Sequence, residues 1–273
     1  MSLQWGAILP HGSQTIPAVA GTGGASFAAT RQGMETVARA VAPKPADVVI
    51  VATPHGIRAE GGVTVSFSEY AAGVLTEGSE RLEARYRVHQ GLARQIHDAA
   101  RRRHLDAPLL SYGASSGPAS RLPMDWGVQV PLWFVAPPGP DAPAIVILCP
   151  SRSLSFEALA QFGEAVADAA LAFPGRVAFI ASADQCHAHQ ADGPYGFHSA
   201  AAQLDAEIVR HVREDRLEDL FGLDPVLIAN GKPDALWQMA MLAGVRRRVT
   251  WSAHFVAYDV PTYFGMLSAY YLP

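Results

Sequence analysis

The amino-acid sequence predicts an α/β protein: a single domain, residues 1–273, with a central, largely parallel or mixed sheet flanked by helices on both faces. Three observations lead to that prediction. Short apolar runs rich in β-branched residues alternate with segments of helical periodicity, as in a sheet sandwiched by helices. Two of the apolar runs end in the same tripeptide, Pro-His-Gly. Apolar residues make up 49% of the 273 residues and charged residues 17%, a balance that builds a sizeable core and does not suit a disordered or fibrous chain.

Taken in order, Trp5 to Leu9 is a short apolar strand that stops at Pro10-His11-Gly12. Met34, Val37, Ala38 and Val41 fall at i, i+3, i+4 and i+7, one face of a helix. Asp47 to Thr53 is a continuous β-branched run, as in a strand covered on both faces, and it stops at Pro54-His55-Gly56. Val63, Val65 and Phe67 alternate with Thr64 and Ser66, the period of a half-exposed strand. A helix is predicted from about Arg81 to Arg103, with Leu92, Ile96, Ala99 and Ala100 turned inward.

Val128 to Val135 and Ala144 to Leu148 are predicted strands, joined by the proline-rich loop 136–143. Ser155 is a candidate N-cap for a helix burying Phe156, Leu159 and Val166. Val177 to Ala181 is a buried strand, Leu204, Ile208 and Val212 mark a helix face, and Val249 to Tyr258 is the last predicted strand. There is no internal repeat and no low-complexity tract.

Composition also narrows the partners. A net charge of −4 offers no basic footprint for nucleic acid. The one dense basic run, Arg101-Arg102-Arg103, ends a predicted helix, where cations offset the negative end of the macrodipole. Two cysteines, Cys149 and Cys186, make no disulfide framework for a chain of this size and point to a reducing compartment. The first five residues lack the features of a signal peptide, and no apolar stretch approaches the roughly 18 residues of a membrane span. A cytoplasmic protein without a membrane partner is expected.

The chemistry is expected at strand ends, where ligands of α/β sheets sit. Proline ends each strand and glycine lets the backbone turn away, so His11 and His55 are each presented at a carboxyl end. A single Pro-His-Gly is ordinarily a hydrogen-bonded turn. Two of them on buried strands point instead to a shared Fe(II), Zn(II) or Mn(II). After the strand ending at Ala181 comes Ser182-Ala183-Asp184-Gln185-Cys186-His187-Ala188-His189. His187 there reads as a ligand or a general acid/base, His189 as solvent-facing, and Cys186 as an ordinary buried cysteine. Gly113-Ala114-Ser115-Ser116-Gly117 matches a nucleophile elbow, with Ser115 as the hydrolase nucleophile, but prolines follow it where a helix should begin. Gly21-Thr22-Gly23-Gly24 lacks the lysine of a phosphate loop and is expected only to border the site. Tyr195, Phe197, Tyr258 and Tyr263 are candidates for an aromatic wall.

Pro10-His11-Gly12, Thr53-Pro54-His55-Gly56 and Asp184-Gln185-Cys186-His187, in that order, resemble the two metal histidines and the catalytic histidine of the class III extradiol ring-cleavage dioxygenases. Further similar segments are Met124 to Leu132, Gly193 to Phe197 leading into Leu204 to Val209, and Ala257 to Pro261, so that the likeness spans nearly the whole chain. The resemblance implies Fe(II), with Zn or Mn as alternatives, held by His11, His55 and a carboxylate. It also implies a catechol-like substrate, O2 as co-substrate, and His187 accepting and returning a proton. The family's third ligand is a late glutamate; the matching residue here is Asp234, which equally suits a helix N-terminus.

Trp126 stands where ring-cleaving relatives carry a histidine. An indole stacks and donates one hydrogen bond but does not shuttle protons near neutral pH, which leaves altered substrate choice, slower chemistry or no ring cleavage open. A non-catalytic metal-binding subunit and a zinc enzyme on the same scaffold are the alternatives. A homo-oligomer is the expected assembly, with or without an accessory subunit.

Overall fold

Where an apolar run lies between two layers of structure, both of its faces are buried, and the centre of this protein is made of such runs. The computed structural model describes residues 2–77 and 80–273. The first half comprises β1 (Leu3–Leu9), α1 (Ala28–Val41), β2 (Val48–Ala52), β3 (Val63–Ser66), β4 (Tyr70–Glu77), β5 (Glu80–Arg87), α2 (Gln90–Arg102), β6 (Leu109–Leu110) and β7 (Arg121–Pro123). The second half comprises α3 (Trp126–Val135), β8 (Ala144–Pro150), α4 (Phe156–Ala172), β9 (Val177–Ser182), α5 (Ala200–Arg213), α6 (Pro225–Gly231), α7 (Leu236–Arg246), β10 (Ser252–Asp259) and β11 (Met266–Leu272).

The main sheet has eight strands in the order β10-β11-β1-β9-β2-β8-β3-β6. Its inner four, β1, β9, β2 and β8, are mutually parallel, and β11 and β3 join them antiparallel. The sheet is therefore mixed, with helices on both faces. Side chains alternate along each strand. Val48, Ile50 and Ala52 pack with Leu92 and Ile96 of α2 and Leu159 and Val166 of α4. Val49 and Val51 turn the other way, onto Met34 and Val37 of α1 and Val128 and Leu132 of α3.

Several predicted elements stand: β1, β2, β8, β9 and the helix faces at 34–41, 92–100 and 204–212. Ser155 caps α4, its hydroxyl oxygen accepting from Ala158 N at 3.2 Å. The 136–143 segment is a loop between α3 and β8. Arg101 and Arg102 occupy the last turn of α2, and Arg103 pairs with Asp168 at 2.5 Å.

Other expectations are corrected. The predicted helix 81–103 begins only at Gln90; residues 80–87 form β5, paired in full register with β4. Glu, Arg and Ala favour helix, but Tyr86 is buried beside exposed Arg85 and Arg87 in a period of two, and cross-strand packing overrides propensity. With β7 these strands form a second, three-stranded sheet.

The run 128–135, predicted as a strand, is the buried helix α3, started by the Asp125 side chain accepting from Gly127 N at 2.9 Å. A short apolar run buried all round has no period to distinguish the two. Strand β3 is buried on both faces rather than one, because Thr64 donates to Ile57 O and Ser66 Oγ accepts from Ile147 N. Strand β11 was not anticipated. The last predicted strand starts at Ser252 rather than Val249.

Candidate metal centre

Register places the candidate residues. Leu9 of β1 is level with Ser182 of β9, and Ala52 of β2 is level with Ala181. The carboxyl ends of β1, β9 and β2 therefore lie within one residue of each other. His11 and Asp184 follow two residues after Leu9 and Ser182, and His55 three after Ala52, in a common layer above the sheet. Asp234 enters the same layer from the turn before α7.

The ring nitrogens Nε2 of His11 and His55 are 3.3 Å apart, with the two rings edge to face. Oδ2 of Asp234 lies 3.7 Å from His11 Nε2, 3.9 Å from His55 Nε2 and 4.0 Å from His187 Nε2. One donor atom each from His11, His55 and Asp234 falls within 4.8 Å of the others. Asp234 Oδ1 is buried and has no hydrogen-bond partner among the described residues. Two facing imidazole nitrogens and an orphaned carboxylate oxygen are a donor set that a divalent cation satisfies; two neutral imidazoles and a carboxylate facing one another without a proton or cation between them are not stable.

Each histidine is held by its other side. Nδ1 of His11 is 3.0 Å from Ser182 Oγ, whose own hydrogen goes to the carbonyl oxygen of Gly127. That carbonyl is free because the residue four positions on is Pro131, inside α3 and without an N–H to offer it. The hydroxyl oxygen must then accept from His11 Nδ1–H, which leaves Nε2 directed at the site. The Asp184 carboxylate accepts from His11 N at 2.9 Å and reaches to within 3.3 Å of its Nε2.

His55 sits in a bend that ends at Gly56, whose φ of +87° is a conformation that favours glycine. Gly127 lies against the His55 ring so closely that a Cβ there would be 2.8 Å from His55 Cδ2. His187 is clamped by the end of α6: its N–H donates to Gly231 O at 2.9 Å and its Nδ1–H to Lys232 O at 3.0 Å. Its Nε2 thus keeps a lone pair facing Asp234, and Phe264 stacks on the ring at 5.2 Å.

The electrostatics separate the two facing imidazoles. Burial opposes a charge on His11, but Asp184 and Asp234 outweigh it and raise its pKa to about 9. Burial, then the charge of His11, lowers that of His55 to about 4. Burial pushes the Asp184 carboxyl up. Burial also disfavours charge on Asp234, yet the hydrogen bond and charge of His11 hold its carboxyl below the usual range. These opposed directions favour a proton on His11 over one on His55.

A cavity of about 750 Å3 opens above these residues. Trp126 lies on its wall, 47% exposed, with its ring 4.6 Å from that of His55. Of the four tyrosines and phenylalanines expected as an aromatic wall, Tyr195 and Tyr263 line it. Phe197 is exposed, and Tyr258 donates to Asp205 Oδ2 at 2.6 Å. Gly21 and Gly23, in a short 3-10 turn, border the mouth.

His189 does not face solvent as expected: its Nε2 is 2.9 Å from the buried Asp205 carboxylate, which also accepts from Cys186 N at 3.0 Å. Cys186 is buried and free. Ser115 sits in an exposed turn between Gly113 and Gly117, and the next helix starts only at Trp126, so the strand–elbow–helix geometry of a hydrolase nucleophile is absent there. Ser182, Gly127 and Asp205 were not singled out from the sequence. The strand-end rule that found His11 and His55 also covers Ser182 and Asp184, whereas the role of Gly127 depends on a contact between distant segments.

Comparison with known proteins agrees with this picture. The model of the family described as the catalytic LigB subunit of aromatic ring-opening dioxygenase matches residues 6–266. Protein CA_C1420 of Clostridium acetobutylicum is 22% identical over 260 residues, covering 95% of this chain and 55% of that protein. The chain thus spans about half the length of that curated relative. The crystal structure of an uncharacterized Escherichia coli K12 protein, JW3007, superposes with a TM-score of 0.59 at 14% identity, covering 98% of this chain and 99% of the other. That likeness is one of fold.

Proposed function

The chain belongs to the family of catalytic LigB subunits of aromatic ring-opening dioxygenases, and from that premise we propose that it is a non-haem Fe(II)-dependent extradiol dioxygenase acting on a catechol-like aromatic, with residues 1–273 as one catalytic domain. The observation that supports this most is the meeting of His11, His55 and Asp234 donor atoms within 4.8 Å, with His187 Nε2 4.0 Å from the same carboxylate. Two histidines and one carboxylate that leave open positions suit non-haem Fe(II) better than a closed structural zinc site.

On this reading His11 Nε2, His55 Nε2 and Asp234 hold the metal, which when bound supplies a Lewis-acidic, redox-active centre at which diol and dioxygen meet. The chain's own residues do the rest. Ser182 keeps His11 in the tautomer that presents Nε2. His187, its Nδ1–H spent on Lys232 O, takes a diol proton at Nε2 and returns it to the opened product. Trp126 packs against the substrate ring and excludes water but holds no proton near neutral pH, so proton traffic falls to His187. Both atoms of O2 enter the product and the carbon–carbon bond beside the diol breaks. The ring supplies the electrons, so no external reductant is consumed.

Trp126 also favours a second reading, a metal-binding subunit of the same fold that does not open rings. Anaerobic loading with Fe(II), followed by a panel of catechols, separates the two. Dioxygen uptake with a coloured ring-opened product supports the enzyme; full metal occupancy without uptake overturns it. Metal analysis of freshly purified protein distinguishes iron from zinc or manganese.

No helix among the described residues is long and apolar enough to cross a membrane. Both cysteines are free and buried, in keeping with a proposed cytoplasmic location. A homo-oligomer, with or without an accessory subunit, completes the proposal and is tested by sedimentation.

A further inference from the structure

The walls of the cavity are unbalanced in charge. Three histidines, His11, His55 and His187, and two carboxylates, Asp184 and Asp234, line it together with two phenols, and among the described residues no lysine or arginine does. Three arginines act on or near these residues without lining the wall. Arg31 donates from Nε to Thr15 O at 2.7 Å and from Nη2 to Gly24 O at 3.1 Å, pinning the loop that borders the mouth. Arg152 lies over the Trp237 ring at 4.9 Å, and Arg58 is exposed; both act on His55 at a distance, but neither lines the wall.

The remaining lining is aromatic or neutral. Phe27, Trp126 and Tyr195 present ring faces and edges, and Ser13, Gln14 and Thr262 present neutral polar groups. The volume of about 750 Å3 lies within the range of roughly 300–1,000 Å3 of pockets that hold drug-sized ligands, so there is room for a substituent on a single aromatic ring. Away from the three histidines, an anionic substituent would leave water for aromatic walls with no lysine or arginine to pair with, in a cavity that also holds two carboxylates. Burial of an unpaired charge is strongly disfavoured. A neutral substituent loses little water and gains ring contacts.

Building on the ring-opening reading, we propose that this enzyme takes aromatic diols whose ring substituent is uncharged, and discriminates against diols that bear a carboxylate on the ring. Recognition comes from the absence of lysine and arginine among the described lining residues and from the aromatic lining.

The test uses 3,4-dihydroxybenzoate and its methyl ester, a pair of nearly equal shape that differs in charge. Binding to the Fe(II)-loaded protein is measured by calorimetry without oxygen, and turnover by dioxygen uptake. The ester is expected to exceed the acid by at least about tenfold in kcat/KM and to bind more tightly by a similar factor, a modest figure because the cavity is open to water. Equal or greater efficiency with the acid overturns the inference while leaving ring opening intact. Ester-selective binding without dioxygen uptake supports the uncharged pocket and overturns ring opening. Failure of both compounds to bind and to react overturns both.

Discussion

The hydroxyl of Ser182 stands 3.0 Å from Nδ1 of His11 while giving its own hydrogen to Gly127 O. Pro131 leaves that carbonyl unclaimed within α3. A proline in one helix thus determines, through a serine at the end of β9, which nitrogen of a histidine just beyond β1 faces the site.

Ser182→Ala removes that relay. The expected result is a folded protein with metal affinity lowered about 10- to 100-fold, the usual effect of losing a group that orients a metal-binding histidine. Competition against a chelator of known affinity measures it. Wild-type affinity in the variant defeats the relay.

Replacing either proposed ligand differs in outcome from replacing the proposed acid/base. His11→Ala and His55→Ala are expected to lose metal on gel filtration. His187→Ala is expected to keep a full complement and lose about 10²- to 10⁴-fold in turnover. Metal content and dioxygen uptake are read on the same samples; equal metal in wild type and both ligand variants contradicts the assignment.

The proton held by the cluster makes metal uptake depend on pH. In the metal-free protein His11, with its pKa near 9, is protonated at pH 7, whereas His55, near 4, is already neutral. A metal takes neutral imidazole. Loading at pH 7 should therefore release about one proton from this pair, and affinity should rise by roughly tenfold per pH unit up to about pH 9. The sign for stability is opposite. A raised pKa stabilises the metal-free fold fully below the unfolded value of 6.5, and that contribution is lost as pH climbs through 9. Calorimetry in buffers of different ionisation enthalpy counts the protons, and melting of the metal-free protein across pH 6 to 9.5 gives the second sign.

Gly127→Ala tests the packing behind His55. Its Cβ would lie 2.5 Å from Thr53 Oγ1 and 2.8 Å from His55 Cδ2, so the imidazole or α3 must shift. A destabilisation of about 1–3 kcal/mol is expected, with metal affinity reduced. Chemical denaturation and metal titration together separate the two effects, and an unaltered His55 environment by NMR would count against the contact.

Asp205 is buried and accepts from Cys186 N, His189 Nε2 and Tyr258 Oη. Asp205→Ala leaves those donors without it and is expected to cost about 3 kcal/mol or more. The loop from Asp184 to His189 should loosen, seen as faster amide exchange at Cys186 and His187 and a lower Tm. Unchanged exchange there would refute a positioning role for Asp205.

Much of this was legible in the chain itself. The strands β1, β2, β8 and β9, the helix faces of α1, α2, α4 and α5, the mixed sheet and the strand-end histidines follow from local periodicity and from proline and glycine at strand ends. Other elements did not, β4, β7 and α6 among them, and three more are instructive. Glu80–Arg87 has helix-favouring residues but pairs with β4; the run 128–135 has strand-favouring residues but forms most of α3, buried through Leu132; and β11 lies beyond the last predicted strand. Pairing with the neighbouring strand outweighed local preference in β5, and packing against distant segments outweighed it in α3.

The sequence by itself determined which residues sit at the ends of the central strands, because proline and glycine act on the backbone locally. Only the tertiary structure decided that β9 lies between β1 and β2 with their carboxyl ends level, which brings residues 44 and more positions apart into one layer. The same long-range packing turned the Gly127 carbonyl toward Ser182, paired Asp205 with His189, and left the cavity wall without a lysine or arginine among the described residues. Such relationships are set by the balance of burial and hydrogen bonding over the whole fold, and a local pattern of residues does not contain them.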